Sequence, residues 1–398
     1  MIFGWKLNNW FDISAILCIA VIPFTFLKTG KISKYRTSVP FLSLSALIIY
    51  SVIIVAFTNF TDLYPITRAT RALIVLLAGY SLLELYSDKY SNPVFELCKH
   101  IYFSLALHGT IMVSMFCSTE FLSFIYHLTK AENIVNKDVN LFDGFRICGL
   151  TYGLSQTSVL QLFGLLILPF IVKNTNNKLH KFFYLISAVI ILISIFLSGR
   201  SGLFIGLLIL PVYIIFEFTS NNLSIKESII INSRKIFFYI LFIVICIISV
   251  TYFLPAKFQN FTLSHSKEAL LIFQNQSYTL NIIKKTLFLP DKLATILFGC
   301  GNYGRTKTFY LLSDIGWVRS IFAIGLAGTV LMAIPFFWAI YKALKIRKKY
   351  SYLSFIISSV FLATLILNFK ELSLITRNQW TIQAMLLSIL LNIQTNSE

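Results

Sequence analysis

Four arginines in this sequence sit where they could act on a phosphate ester. Arg146 lies in Phe-Arg-Ile-Cys-Gly-Leu, residues 145–150, and Arg200 in Leu-Ser-Gly-Arg-Ser-Gly-Leu, residues 197–203. Arg305 follows Gly-Cys-Gly-Asn-Tyr-Gly, residues 299–304, and Arg319 comes two residues after Trp317. A guanidinium presents a planar fork of donors that grips a phosphate through two hydrogen bonds at once. Several forks converging on one cavity would neutralise a diphosphate and stabilise it as a leaving group. Taken singly, each arginine could instead mark a membrane interface, its head drawn to lipid headgroups. Arg200 stands apart because small residues on both sides permit close approach of backbone or ligand.

Chemistry beyond charge neutralisation needs a base. Asp314, in Ser-Asp-Ile-Gly-Trp, is near Arg319 in sequence and could accept a hydroxyl proton or simply pair with an arginine. His265 has a suitable reference pKa, but nothing in its neighbours identifies a partner. Asp143 and Glu268 are weaker candidates. Gly299, Gly301 and Gly304 superficially match a nucleotide-binding GxGxxG, yet no βαβ unit surrounds them. They suit a tight turn, or a nest of backbone amides for an anion. Gly325 and Gly328, with Ala323 and Ala327, read as small packing surfaces within a helix. No HExxH, GxSxG or P-loop occurs, and the six cysteines have no tight spacing, so neither a metal nor a cofactor is expected.

The elements that must hold these residues are apolar. Hydrophobic residues make up 57% of the 398 and charged residues 13%, against about 25% in a soluble domain. The mean hydropathy is +0.78. Lipid must therefore be the solvent for much of the chain. The net charge of +18 could suggest nucleic acid, but the basic residues cluster between apolar segments, which favours anionic lipid and excludes a nucleic-acid partner. Apolar segments near 11–27, 39–57, 72–86, 101–119, 153–172, 182–197, 202–218, 236–254, 316–341, 353–369 and 374–394 predict an all-α polytopic integral membrane protein of about eleven spans. The first lacks a small-residue cleavage pattern and reads as a retained span.

Basic clusters at 28–38, 173–181, 219–235 and 342–349 all fall on one side of an eleven-span chain, joined by Lys89 and Lys99. That side should be the cytoplasm, leaving the N-terminus outside and the C-terminus inside. The opposite side receives 58–71, 120–152, the turn around Arg200, and 255–315. The last is large enough for an extracytoplasmic subdomain within a single transmembrane domain, 1–398. In it, 267–273 and 278–288 could form short helices on the membrane surface.

The ordered set of these features resembles the Wzy-like polysaccharide polymerase family, which also includes the O-antigen ligases. The landmarks are Arg146 with Gly149, Ser198-Gly199-Arg200-Ser201-Gly202, Leu297-Phe298-Gly299-Cys300-Gly301 after a large loop, Asp314-Ile315-Gly316-Trp317, and Phe322 through Gly328. They cover roughly 140–330. The resemblance implies a bacterial inner-membrane glycosyltransferase of GT-C-like architecture with its active site facing the periplasm. Its substrate would be an undecaprenyl-pyrophosphate-linked oligosaccharide, with no nucleotide sugar or metal required and a chain-length regulator as a candidate partner. The growing glycan would move from its lipid carrier to the non-reducing end of an incoming lipid-linked unit. Arg200 and Arg319 would bind the donor diphosphate, helped by Arg146, Arg305, Gly299 and Gly301, and Asp314 or His265 would serve as base. The family's ligases typically carry an asparagine-histidine feature where this chain has Asp314-Ile315-Gly316, which favours polymerase over ligase. A non-enzymatic flippase or exporter is the third reading, and would be expected to show internal symmetry or ionisable residues within its spans.

Overall fold

The structure is a computed structural model, and it describes residues 13–29, 38–58, 62–129, 147–151, 153–220, 281, 284–304 and 311–395. No strand occurs among them. In chain order the helices are α1 (Ile13–Thr29), α2 (Val39–Phe57), α3 (Tyr64–Lys89), α4 (Pro93–Cys117), α5 (Thr119–Thr129), α6 (Leu154–Asn174), α7 (Lys178–Ser198), α8 (Arg200–Ser220), α9 (Leu293–Phe298), α10 (Gly316–Lys345), α11 (Ser351–Leu367) and α12 (Arg377–Thr395). Among the described residues, α2, α3, α4, α6, α7 and α10 are long and apolar enough to cross a bilayer. The chain is a multi-pass membrane protein, all-helical among the described residues. Helices coincide with ten of the predicted segments, while 236–254 lies outside the described residues.

Two expected loops are mostly helix. Pro65 occupies the first turn of α3, where a missing N–H costs nothing, so the helix begins at Tyr64 rather than near residue 72. Pro93 does the same for α4, and the Asn92 side chain accepts from the Phe95 amide. The predicted loop at 87–100 thus shrinks to a turn at 90–92, and that at 58–71 loses most of its length to α3. The stretch at 120–152 likewise opens with α5. Of the surface helices expected at 267–273 and 278–288, the first lies outside the described residues; within the second, Asn281 and residues 284–286 are helical.

Short turns force neighbouring helices antiparallel. One end of the bundle therefore gathers the lysines: Lys28 pairs with Asp88 at 3.0 Å, Lys173 sits over the Tyr352 ring, and Lys345 over Tyr341. The other end gathers the starts of α3, α6, α8, α10 and α12. Large apolar side chains such as Ile49, Leu107, Phe183 and Leu207 point outward, as lipid requires. The twelfth helix is different. It packs on α3, α11, α10, α4 and α6 and is buried almost all round, so its polar side chains meet protein rather than lipid. Trp380 Nε1 donates to Ala72 O at 2.8 Å, and Gln383 Nε2 to Thr364 Oγ1 at 2.6 Å.

The described end of the 255–315 loop folds back onto the bundle instead of standing away from it. Gly325 has φ 64° and ψ −176°, which breaks α10 nine residues below its start, about 13 Å at 1.5 Å per residue. The carbonyls of Phe322 and Ala323 lose their helical partners there and accept from Cys300 N at 2.7 Å and Gly301 N at 2.8 Å. Tyr50 Oη of α2 donates to Phe298 O from the other side, at 3.0 Å. Gly299, with φ 86°, ends α9, and a Cβ on it would lie 2.5 Å from Ala323 O. A Cβ on Gly325 would lie 2.3 Å from Leu297 O. Gly325 is thus more than a packing surface: it is a break into which another segment is keyed.

Gly325→Ala meets both a glycine-only backbone region and a backbone clash, and should cost about 1–3 kcal/mol. Thermal melting in detergent should show a clear drop, with Gly206→Ala as the control. There a Cβ meets only the end of Leu162, at 3.3 Å.

Candidate functional site

At the end away from the lysines, α11 stops and the chain turns through 368–376 before α12 begins. Asn368 Oδ1 accepts the Ser373 and Leu374 amides at 2.9 and 3.4 Å, closing the turn on itself. The outward-facing groups are taken by four other helices. Trp317 N of α10 donates to Asn368 O at 3.3 Å, and Gln156 Nε2 of α6 to Leu372 O at 3.1 Å. Arg68 Nη2 of α3 donates to Leu374 O. Lys370 Nζ donates to Ser201 Oγ of α8 at 2.8 Å.

That last bond puts a lysine beside the turn that carries Arg200. Only Gly199 separates α7 from α8, and Ser158 of α6 pins it. Ser158 Oγ donates to Gly199 O at 2.6 Å and accepts from Gly202 N at 2.9 Å. A Cβ on Gly202 would lie 2.4 Å from that hydroxyl. The small residues around Arg200 therefore serve close helix packing. Arg200 opens α8, and its side chain lies outside the described residues. So do Arg146, Arg305 and His265. Ile147, the residue after Arg146, donates its amide to Leu197 O at 3.0 Å, which brings that part of the chain to the same turn.

His108 of α4 holds this entering segment in place. Its Nε2 accepts from Leu150 N at 3.1 Å, and the Gln161 amide lies 2.7 Å from Nδ1. The buried imidazole thus ties the entering segment to α4 and α6.

Arg319 and Asp314 do meet. Arg319 is 2% exposed; its Nε donates to Ser313 O and its Nη2 to Asp314 Oδ1 at 3.2 Å. The Asp314 side chain is 83% exposed, so one face of the carboxylate is engaged and the rest meets water. Of the two roles the sequence allowed Asp314, the arginine pair is formed. The amide nest proposed for Gly299 and Gly301 is a correction: Gly299 N donates to Thr295 O, and the Cys300 and Gly301 amides go to α10. Those N–H groups are committed to the protein's own carbonyls.

Sequence reading missed Arg68, Arg71, Lys370 and Arg377, all at this end. Arg68 is 7% exposed and lies over the rings of Tyr64 and Tyr303, at 5.9 and 5.5 Å. Asp62 accepts from Tyr64 N at 2.9 Å and from Tyr303 N at 3.2 Å. Burial pushes the Tyr303 phenol up to about 12, and Arg68 offsets only part of that, so it stays protonated and is no general base. Burial also raises the Cys300 thiol, which keeps it from acting as a thiolate nucleophile. Pro65 was the available signal for Arg68: a helix starting there places residue 68 within its first turn.

Ser158→Ala should leave Gly202 N without its acceptor and cost about 1–3 kcal/mol, read as a lowered melting temperature of the purified protein.

Set beside known proteins, the chain matches no protein-family model, and no curated protein matches it.

Proposed function

We propose that this protein is a surface-polysaccharide polymerase of the bacterial inner membrane, an inverting glycosyltransferase that uses undecaprenyl pyrophosphate as its glycan carrier. The observation that carries this reading is convergence at one end of the bundle. Ile147 reaches Leu197, Lys370 reaches Ser201, and Trp317 reaches Asn368, so three stretches that resemble polymerase landmarks share a single face. The lysine-rich opposite end supports a cytoplasmic assignment for that end and a periplasmic one for the site. Eleven spans and a GT-C-like architecture belong to the same proposal.

In the proposed reaction, Arg200 and Lys370 hold the donor diphosphate, and Arg319 adds positive charge nearby. A hydroxyl at the non-reducing end of the incoming unit attacks the anomeric carbon of the donor glycan. The new carbon–oxygen bond forms as the bond from that carbon to the phosphate oxygen breaks. The hydroxyl proton passes to a base, for which Asp314 and His265 are the candidates, and undecaprenyl pyrophosphate departs with the bonding electron pair. A single displacement inverts the anomeric centre. The polyprenyl tail lies between apolar helices open to lipid, and glycan length is handed to a separate regulator.

Purified protein given synthetic undecaprenyl-pyrophosphate oligosaccharides should build a ladder of lipid-linked products. Transfer only to lipid A–core would make it a ligase, and transport without any new glycosidic bond would make it a flippase. Arg200→Ala should slow extension on the order of a hundredfold while leaving membrane insertion intact. Near-normal extension by that variant removes Arg200 from the site. In a cysteine-free background, Leu312→Cys should label from the periplasmic side and Lys348→Cys from the cytoplasmic side; the reverse pattern overturns the orientation.

A further inference from the structure

Arg68 and Arg319 are both buried cations at the same end, but their surroundings differ. A guanidinium taken out of water ordinarily faces a carboxylate, because a buried unpaired charge is costly. Arg319 has Asp314. Arg68 has no ion pair among the described residues, although Asp62 is close in sequence and shares the Tyr303 neighbourhood. Asp62 spends one oxygen on Tyr64 N and the other on Tyr303 N. Arg68 Nη2 goes to the Leu374 carbonyl, and Nε is buried without a hydrogen-bond partner. Two tyrosine faces supply quadrupolar attraction, which is weaker than a full counter-charge. The environment holds the guanidinium firmly in place and leaves its buried Nε–H without a protein acceptor.

We infer that Arg68 is the binding point for a second diphosphate, that of the incoming lipid-linked unit. This rests on the polymerase reading, in which two lipid-linked substrates, each carrying a diphosphate, must be held at once. The turn at 368–376 supports it. Lys370 contacts the Arg200 turn and Leu374 contacts Arg68. These positions are four residues apart, at most about 14 Å of extended chain. The donor and acceptor headgroups would therefore lie side by side along one loop, with the acceptor's sugars bridging from Arg68 toward the donor. A bidentate fork backed by aromatic faces suits a phosphate oxyanion better than a point charge would.

Native mass spectrometry of the purified full chain tests this, with undecaprenyl pyrophosphate, inorganic pyrophosphate and phosphatidylglycerol as separate probes. The natural protein should hold two undecaprenyl pyrophosphates, while Arg68→Gln and Arg200→Ala should each hold one. Arg68→Lys, which keeps the charge but not the fork, should melt as the natural protein does and bind one of the two ligands about tenfold more weakly. That variant carries the test if Arg68→Gln fails to fold. Two full-affinity ligands on the Arg68 variants overturn the inference, as does phosphatidylglycerol filling the Arg68-dependent position equally well. Inorganic pyrophosphate competing only for that position supports a site that reads the diphosphate itself. If two ligands bind in an Arg68-dependent way but no glycan is extended, the polymerase reading falls and the anion site stands. If extension proceeds and binding ignores Arg68, the site falls alone.

Discussion

Backbone that leaves a helix inside a bilayer has no water to turn to, so every freed N–H and C=O must be met by protein. That requirement organises this molecule more than any single side chain does. Among the described residues, the chain leaves regular helix at the turn at 368–376 and at the break at Gly325. At the first, Asn368 closes the turn from inside while α3, α6, α8 and α10 answer from outside. At the second, Cys300 and Gly301 supply the donors that the broken helix lacks. Each repair draws together segments remote in sequence, and the gathering of Arg68, Arg319 and Lys370 at one end of the bundle accompanies those repairs.

The same low dielectric that makes unpaired backbone costly raises the stakes of charge. Arg68 and Arg319 sit in the opening turns of their helices, near enough to the bundle's end to meet polar loops yet removed from water. Arg319 is neutralised by an aspartate that remains open to solvent. Lys370 donates to the Ser201 hydroxyl. Arg68, Arg319 and Lys370 thus lie at one end of the bundle, while at the far end Lys28 and Lys99 meet acidic partners and Lys173 and Lys345 meet aromatic rings.

Much of this architecture was legible from hydropathy, because lipid-facing helices must be apolar along their whole exposed length. Where a helix is enclosed by protein, that signal weakens: Arg377 and Gln379 interrupt the apolar run at the start of α12, which is buried almost all round. Starts set by proline were underread, and with α3 begun too late Arg68 looked like a loop residue. The Arg319–Asp314 pair was one of the two roles that the spacing allowed Asp314. The break at Gly325 was not legible, since a glycine within an apolar run reads the same whether it packs a neighbour or ends a helix. Its meaning depends on Cys300 and Gly301, which come from the far side of Arg319 in the chain.

The Gly299–Gly325 interlock also has a consequence for how the sequence can drift. Neither position tolerates a side chain while the other's backbone stays where it is, since each would-be Cβ falls on the partner segment's main chain. A viable change must therefore alter both at once, or abolish the break and release α9 together. Among descendants of this sequence the two glycines should be kept or lost as a linked pair, a signature of inheritance that neither would show alone.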